Sequence, residues 1–406
     1  MGKKISIVIA FFLLSTIFGY SGYDVSAEDE IPEWGFYVYM AGDNTLYEEL
    51  TDDLNEMKMV GSNNDLNIVA LTDKIGNNDS HLYHVMKHSL VERNLSEVNS
   101  TWENELDMGD GDTLRDFLIW ASDAFPAKRK ILVIWNHGSG WEKVAEDGSS
   151  FLTVPEINNS LEEYRETTNE PPFTLIGFDA CLMGMFEIMY ELKDHAEMVH
   201  GSEAYEPLEG WTYNNLLYKL NKNLNNEDLA YHVVNDYIES YRNGSVYTSY
   251  SVTASVVSSS NLGKLWDELD NFSYEINSAL PVFRSEIENA RADTQRFDQN
   301  PNYRDLYDLT IKIERDLPLI SVKESAHKLR QAINETVMFE DHWIKPEKLN
   351  VERANGMTIY FPVEGVEYGY NKLEIQNNKW FDFITNYENP IQSDSSFQNV
   401  NSTSVD

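Results

Sequence analysis

The chain contains a single cysteine, Cys181, set in Asp179-Ala180-Cys181-Leu182-Met183-Gly184. Upstream lies His137, in Asn136-His137-Gly138-Ser139-Gly140-Trp141. A thiol attacks a carbonyl carbon only after a base has taken its proton, and the oxyanion that forms then needs N–H donors. Cys181 and His137 supply the nucleophile and the base. Gly138 and Gly140 give a turn whose backbone N–H groups can serve the oxyanion. The competing account makes Cys181 a small buried hydrophobe and His137 a satisfied structural histidine. A lone Cys allows no disulfide within one chain and no thiolate metal cage. No HExxH pair, GxSxG elbow or P-loop is present, which disfavours the corresponding zinc, serine and nucleotide chemistries.

These side chains need a frame, and the hydrophobic pattern predicts one. Strands are expected over residues 34–40, 66–71, 81–86, 131–135, 173–178 and 198–202. Helices are expected over 46–59, 113–124, 154–164 and 181–193. The run ILVIW at 131–135 is apolar throughout, as in a strand covered on both faces. Alternating strands and helices predict an α/β fold, a mostly parallel sheet with helices on both faces. Sites in such sheets form at strand carboxyl ends, which is where His137 and Cys181 fall. A helix starting at Cys181 would lower its thiol pKa. Residues 142–170 form a long polar connection, and 261–343 look mostly helical, with Leu262, Leu265, Trp266 and Leu269 at helical spacing. The domain expectation is a core over 28–260, a smaller helical part over 261–350, a strand and helix returning to the core over 351–389, and a disordered tail over 390–406.

Composition narrows the partners. Acidic residues number 68 against 31 basic ones, a formal net charge of −37. Nucleic acid binding needs a basic face and is excluded as an expectation. With 42% hydrophobic and 12% aromatic residues the chain can build a sizeable core. Lys3 and Lys4, an apolar run over 5–18 and Val25-Ser26-Ala27 read as a signal peptide over residues 1–27. An uncleaved anchor is the rival, although the run is shorter than the ~20 residues of a bilayer span. The expectation is a protein secreted or held at the cell-envelope exterior, with no stable membrane span after signal cleavage.

The two motifs around His137 and Cys181 resemble those of the clostripain family, in the caspase-like clan of cysteine peptidases. Further matches are Tyr39-Met40-Ala41-Gly42-Asp43-Asn44, Gly201-Ser202-Glu203, Glu209-Gly210-Trp211, Asp305-Leu306-Tyr307-Asp308-Leu309 and Asn355-Gly356-Met357-Thr358-Ile359-Tyr360-Phe361-Pro362, so the resemblance covers residues 34–385. It implies a caspase-like sheet, a Cys181/His137 dyad, and an oxyanion hole from the N–H groups of Gly138 and Cys181. It also implies cleavage of peptide or protein substrates after Arg or Lys at P1, with acids at the base of the S1 pocket. Asp179 matches one such acid and Glu209 is nominated second; Glu203 and Glu206 are nearby alternatives, expected rather to be surface or turn residues. A strand-end carboxylate beside the nucleophile suits a guanidinium on physical grounds too, although Asp179 could instead cap the helix of Cys181. Relatives are often matured by self-cleavage between the two motifs, where Lys143 and Arg165 are the only basic residues, Lys143 being preferred. The Cys/His chemistry requires no cofactor. Some relatives imply calcium, for which no DxDxDG loop is present. The alternative is a non-catalytic exported acidic binding protein on the same scaffold.

Overall fold

In the computed structural model of the protein, residues 31–388 are described, apart from 245–247, 249, 298 and 299. The expected signal peptide and the expected disordered tail lie outside the described residues.

The frame is a sheet of nine strands. The first half of the chain supplies β1 (Trp34–Gly42), α1 (Tyr47–Val60), β2 (Leu66–Lys74), β3 (His81–Met86), β4 (Ser89–Arg93), α2 (Gly111–Ala124) and β5 (Arg129–Trp135). A hairpin follows, β6 (Val144–Asp147) and β7 (Ser150–Leu152), then α3 (Val154–Thr168), β8 (Phe173–Asp179), α4 (Phe186–Glu191) and β9 (Ala196–Gly201). The second half adds α5 (Tyr213–Leu217), α6 (Asn226–Arg242), β10 (Val252–Ser258), α7 (Ser259–Asp293), β11 (Tyr303–Asp305), α8 (Leu306–Asp316) and α9 (Ile320–Thr336). It ends with β12 (Val337–Trp343), β13 (Thr358–Tyr360) and α10 (Lys379–Glu388). The sheet order is β12-β10-β9-β8-β5-β1-β2-β3-β4. Strands β9, β8, β5, β1 and β2 run parallel, and the two margins are antiparallel.

Pleating sends alternate residues to opposite faces, and both faces are covered. On β1, Tyr37, Tyr39 and Ala41 join a core built with α2, α3, α4 and α7 to α10. Its neighbours Phe36, Val38 and Met40 join the other core, with α1, α5 and α6. Register places Met40 beside Trp135 and Trp135 beside Asp179, so the carboxyl ends of β1, β5 and β8 stand in a row.

Four sequence expectations need correction. Residues 181–185 do not start a helix; they form a turn and an extended stretch, and α4 opens at Phe186. The region over 261–343 is mostly helical, as expected, but it also contains a strand of the main sheet. Its helices bury their apolar stripes in the same core as the sheet, the described residues form one compact unit, and Val337–Trp343 is an edge strand paired with β10. The strand near Ile359 pairs with β11 in a small ribbon rather than with the main sheet. The polar connection after His137 contains the β6–β7 hairpin. Among the described residues no helix is long and apolar enough to cross a membrane.

Candidate active site

β5 delivers Asn136 and His137, and β8 delivers Asp179, Ala180 and Cys181, from adjacent strands. The Asn136 N–H donates to the Asp179 carbonyl oxygen at 3.2 Å, so the two chain ends stay coupled one residue beyond the sheet. Gly138 then packs on the Cys181 backbone. A Cβ at position 138 would collide with the Cys181 carbonyl oxygen and stand 3.1 Å from its nitrogen. Glycine is required by that approach, and it brings the Gly138 and Cys181 backbones together as an oxyanion hole demands.

Cys181 is half-buried and carries the only thiol of the sequence. The Glu206 N–H donates to Sγ at 3.3 Å. The thiol in turn faces the Glu206 carbonyl oxygen at 3.8 Å. Leu182 holds φ of +65°, an unfavourable conformation for a branched side chain. Two backbone bonds fix that turn: Leu182 N–H to the Ala204 carbonyl at 3.0 Å, and Gly184 N–H to the Ser202 carbonyl at 2.7 Å.

His137 is half-buried, and burial is the main cause that lowers its pKa, with Glu146 opposing it. It is therefore neutral and available as a base near neutral pH. Its Nε2 lies 3.0 Å from the Thr45 hydroxyl, at the end of the turn after β1.

Asp179, two residues before Cys181, is buried. Its Oδ2 accepts from the Tyr213 hydroxyl at 2.7 Å and the Trp211 N–H at 3.4 Å. It is not a helix cap. Gly210, with φ of +52°, lets the chain pass so close that a Cβ there would stand 2.7 Å from Asp179 Oδ1. Burial pushes the Asp179 carboxyl up despite these donors. Glu206 is pushed well up by burial first and then by the negative charge of Asp179. No Lys or Arg among the described residues pairs with either group. Asp53 and Glu56, from α1, act on the same acidic well; the Asp179 charge raises both after burial does, and Asp53 accepts from the Trp135 indole at 2.7 Å.

The sequence nominations divide accordingly. His137, Gly138, Cys181 and Asp179 converge. Glu209 is exposed, whereas Glu206, expected at the surface, has both carboxyl oxygens shut off from solvent beside Asp179. Glu203 is also buried, accepting from the Gly356 N–H at 3.0 Å. Lys143 sits against ordered chain: its carbonyl accepts from the Ser139 N–H at 2.9 Å, its ammonium pairs with Glu146 at 2.6 Å, and Val144 is buried. Arg165 lies within α3. Cleavage after either residue requires local unfolding. Sequence reasoning passed over Asp53, although a carboxylate between Leu50, Leu54 and Met57 on the buried stripe of α1 was a visible signal.

Asp43, in the turn after β1, Asp73 of β2 and Glu105 bring one carboxylate oxygen each within 4.8 Å of one another. Asp73 is fully buried and its Oδ2 has no hydrogen-bond partner among the described residues. All-oxygen, acidic donors fit a hard divalent cation such as calcium.

Comparison with known proteins agrees with this frame. The crystal structure of a secreted C11 cysteine protease from Bacteroides thetaiotaomicron, bound to an irreversible peptide inhibitor, superposes with a TM-score of 0.66 at 20% identity, covering 87% of this chain and 99% of that one. An inactive zymogen C11 protease from Parabacteroides distasonis gives 0.65 at 20% identity over 87% and 98%. Clostripain from Hathewaya histolytica is 27% identical over 190 residues, 38% of this chain and 35% of that protein, so the match spans about a third of that relative's length. The model of the clostripain family, Peptidase_C11, matches residues 38–399. With that match running from the first strand past the last helix, the chain belongs to the clostripain family of cysteine peptidases.

Proposed function

We propose that the protein is an exported endopeptidase that cleaves after Arg or Lys, using Cys181 as nucleophile and His137 as base. The supporting observation is the buried Asp179/Glu206 pair beside the Cys181 sulfur, which lacks a cationic partner among the described residues. Two desolvated carboxyls with no counter-charge are costly. A guanidinium or ammonium entering from a substrate restores the balance. Glu206 rather than Glu209 is the second acid of this pocket.

In the reaction the Cys181 thiol gives its proton to His137, and the thiolate attacks the scissile carbonyl carbon. The N–H groups of Gly138 and Cys181 receive the oxyanion. His137 returns the proton to the leaving amine, leaving an acyl-enzyme that water hydrolyses with His137 again as base. Asp43, Asp73 and Glu105 would hold calcium, which would neutralise their mutual repulsion and brace the turn between β1 and α1. Export rests on the N-terminal segment, and on the secretion stated for the Bacteroides protein. Hydrolysis of peptides differing only at P1 tests this reading. A wild-type preference for Arg and Lys that vanishes in Cys181→Ala supports it, and absence of turnover favours the non-catalytic binder.

A further inference from the structure

The turn after β1 is built with unusual care for a segment that only connects a strand to a helix. Asn44 donates through Nδ2 to the Ala41 carbonyl at 3.1 Å and to the Glu146 carbonyl at 2.7 Å, and its Oδ1 accepts from the Leu46 N–H at 2.9 Å. Gly148 N–H reaches the Asp43 carbonyl at 3.3 Å. From the other side Asn136, the residue before the base, donates to the Ala41 carbonyl and accepts from the Glu146 N–H at 2.9 Å. The end of β1, the end of β5 and the β6 strand are thus clasped together. The product of this clasp is one contact: the Thr45 hydroxyl 3.0 Å from Nε2 of His137.

We propose that Thr45 is a positioning residue of the dyad, its hydroxyl fixing the tautomer and orientation of His137. This rests on the reading of His137 as the base. An imidazole that takes a proton at one nitrogen must carry its own proton on the other. With Nε2 held at Thr45, the N–H there donates to the hydroxyl oxygen, and Nδ1 is left as the acceptor. The thiol S–H bond breaks, the proton moves to Nδ1, and the electron pair stays on sulfur. In the imidazolium that results, the Nε2–H still has its acceptor, so the same bond supports the ion pair. When the peptide C–N bond breaks, the Nδ1 proton leaves with the amine. Thr45 acts through the ring.

An exposed hydroxyl could also be a bystander, and its removal separates the two cases. Thr45→Val keeps the branched shape and removes the oxygen, while Thr45→Ser keeps the oxygen. The full mature chain of each is assayed for kcat and KM on a basic-P1 peptide, and for the pH dependence of Cys181 alkylation by iodoacetamide. The proposal expects about a tenfold fall in kcat for Thr45→Val with KM little changed. It also expects the alkylation curve to move to higher pH, because the imidazolium partner of the thiolate has lost an acceptor. Thr45→Ser should restore both. Wild-type kcat and an unmoved alkylation curve in Thr45→Val would overturn the proposal. So would equal loss in Thr45→Val and Thr45→Ser, which would make the role one of packing. Should wild type itself hydrolyse nothing while Cys181 alkylation still shifts on Thr45→Val, the dyad contact stands and the peptidase reading falls.

Discussion

At the residue scale, the distinctive chemistry is a carboxyl pair rather than a single acid. Asp179 keeps two donors, from Tyr213 and Trp211, whereas Glu206 faces the charge of Asp179 with neither oxygen exposed. Asp179→Asn and Glu206→Gln should each raise KM for Arg-P1 peptides strongly, by about 10–100-fold if a charge-assisted bond worth ~1.5–3 kcal/mol is lost. Both variants should still leave Cys181 open to labelling by a small alkylating agent, which shows that the site remains formed. An unchanged ratio of Arg to Leu turnover in both variants would dismiss the pocket. His137, Cys181, Gly138 and Asp179 were legible in the sequence because they lie in two short motifs next to strand ends. Glu206 stood only as an alternative and Thr45 not at all, since each reaches the site by a loop whose path depends on contacts distant in sequence, from Cys181 to Glu206 and from His137 to Thr45.

At the element scale, apolar strand runs with turn residues behind them located the parallel centre of the sheet within a few residues, and the antiparallel strand His81–Met86 with both ends matched. The opposite margin, at β10 and β12, was harder to read. Val252–Ser258 carries alternating Thr and Ser that are buried by neighbouring strands and by Gly356, not by their own hydrophobicity. The helix expected at Cys181 failed because the turn over 182–184 is bonded to residues 202 and 204, a long-range constraint that local propensity does not contain. The turn after β1 carries its own prediction. If Asp43, Asp73 and Glu105 take calcium, addition of calcium to chelator-treated protein should raise its melting temperature beyond the effect of sodium chloride at equal ionic strength. Asp73→Asn should remove that increment, and Glu105→Gln, at an exposed position, should reduce it without compromising the fold. Equal responses to both salts would remove the site.

At the scale of the whole molecule, acidity is buried as well as displayed. Glu203 and Asp305 join the end of β9 to the start of α8. Burial, then the neighbouring Asp308 charge, pushes Asp305 up to about 7 despite backbone donors, while Glu203 is raised well above its usual range by burial and then by Asp305. Glu340 adds to the field at Glu203. The folded state therefore binds protons that the unfolded chain releases near pH 4. Their stabilising contribution is complete below that point and declines as pH rises through about 7. Unfolding free energies from denaturant titrations should fall over this range, by on the order of a few kcal/mol, and the formal net charge of −37 acts in the same direction. Glu203→Gln should flatten the curve, because an amide can donate to Asp305 at every pH; an unaltered slope would show that the pair does not titrate. The central claim is tested most directly by turnover of fluorogenic peptides carrying Arg, Lys, Leu or Asp at P1, by the purified mature protein with calcium and by its Cys181→Ala variant. The account predicts cleavage after Arg and Lys that is abolished in the variant while its circular dichroism is unchanged. Cleavage indifferent to P1, or surviving the loss of Cys181, would contradict it.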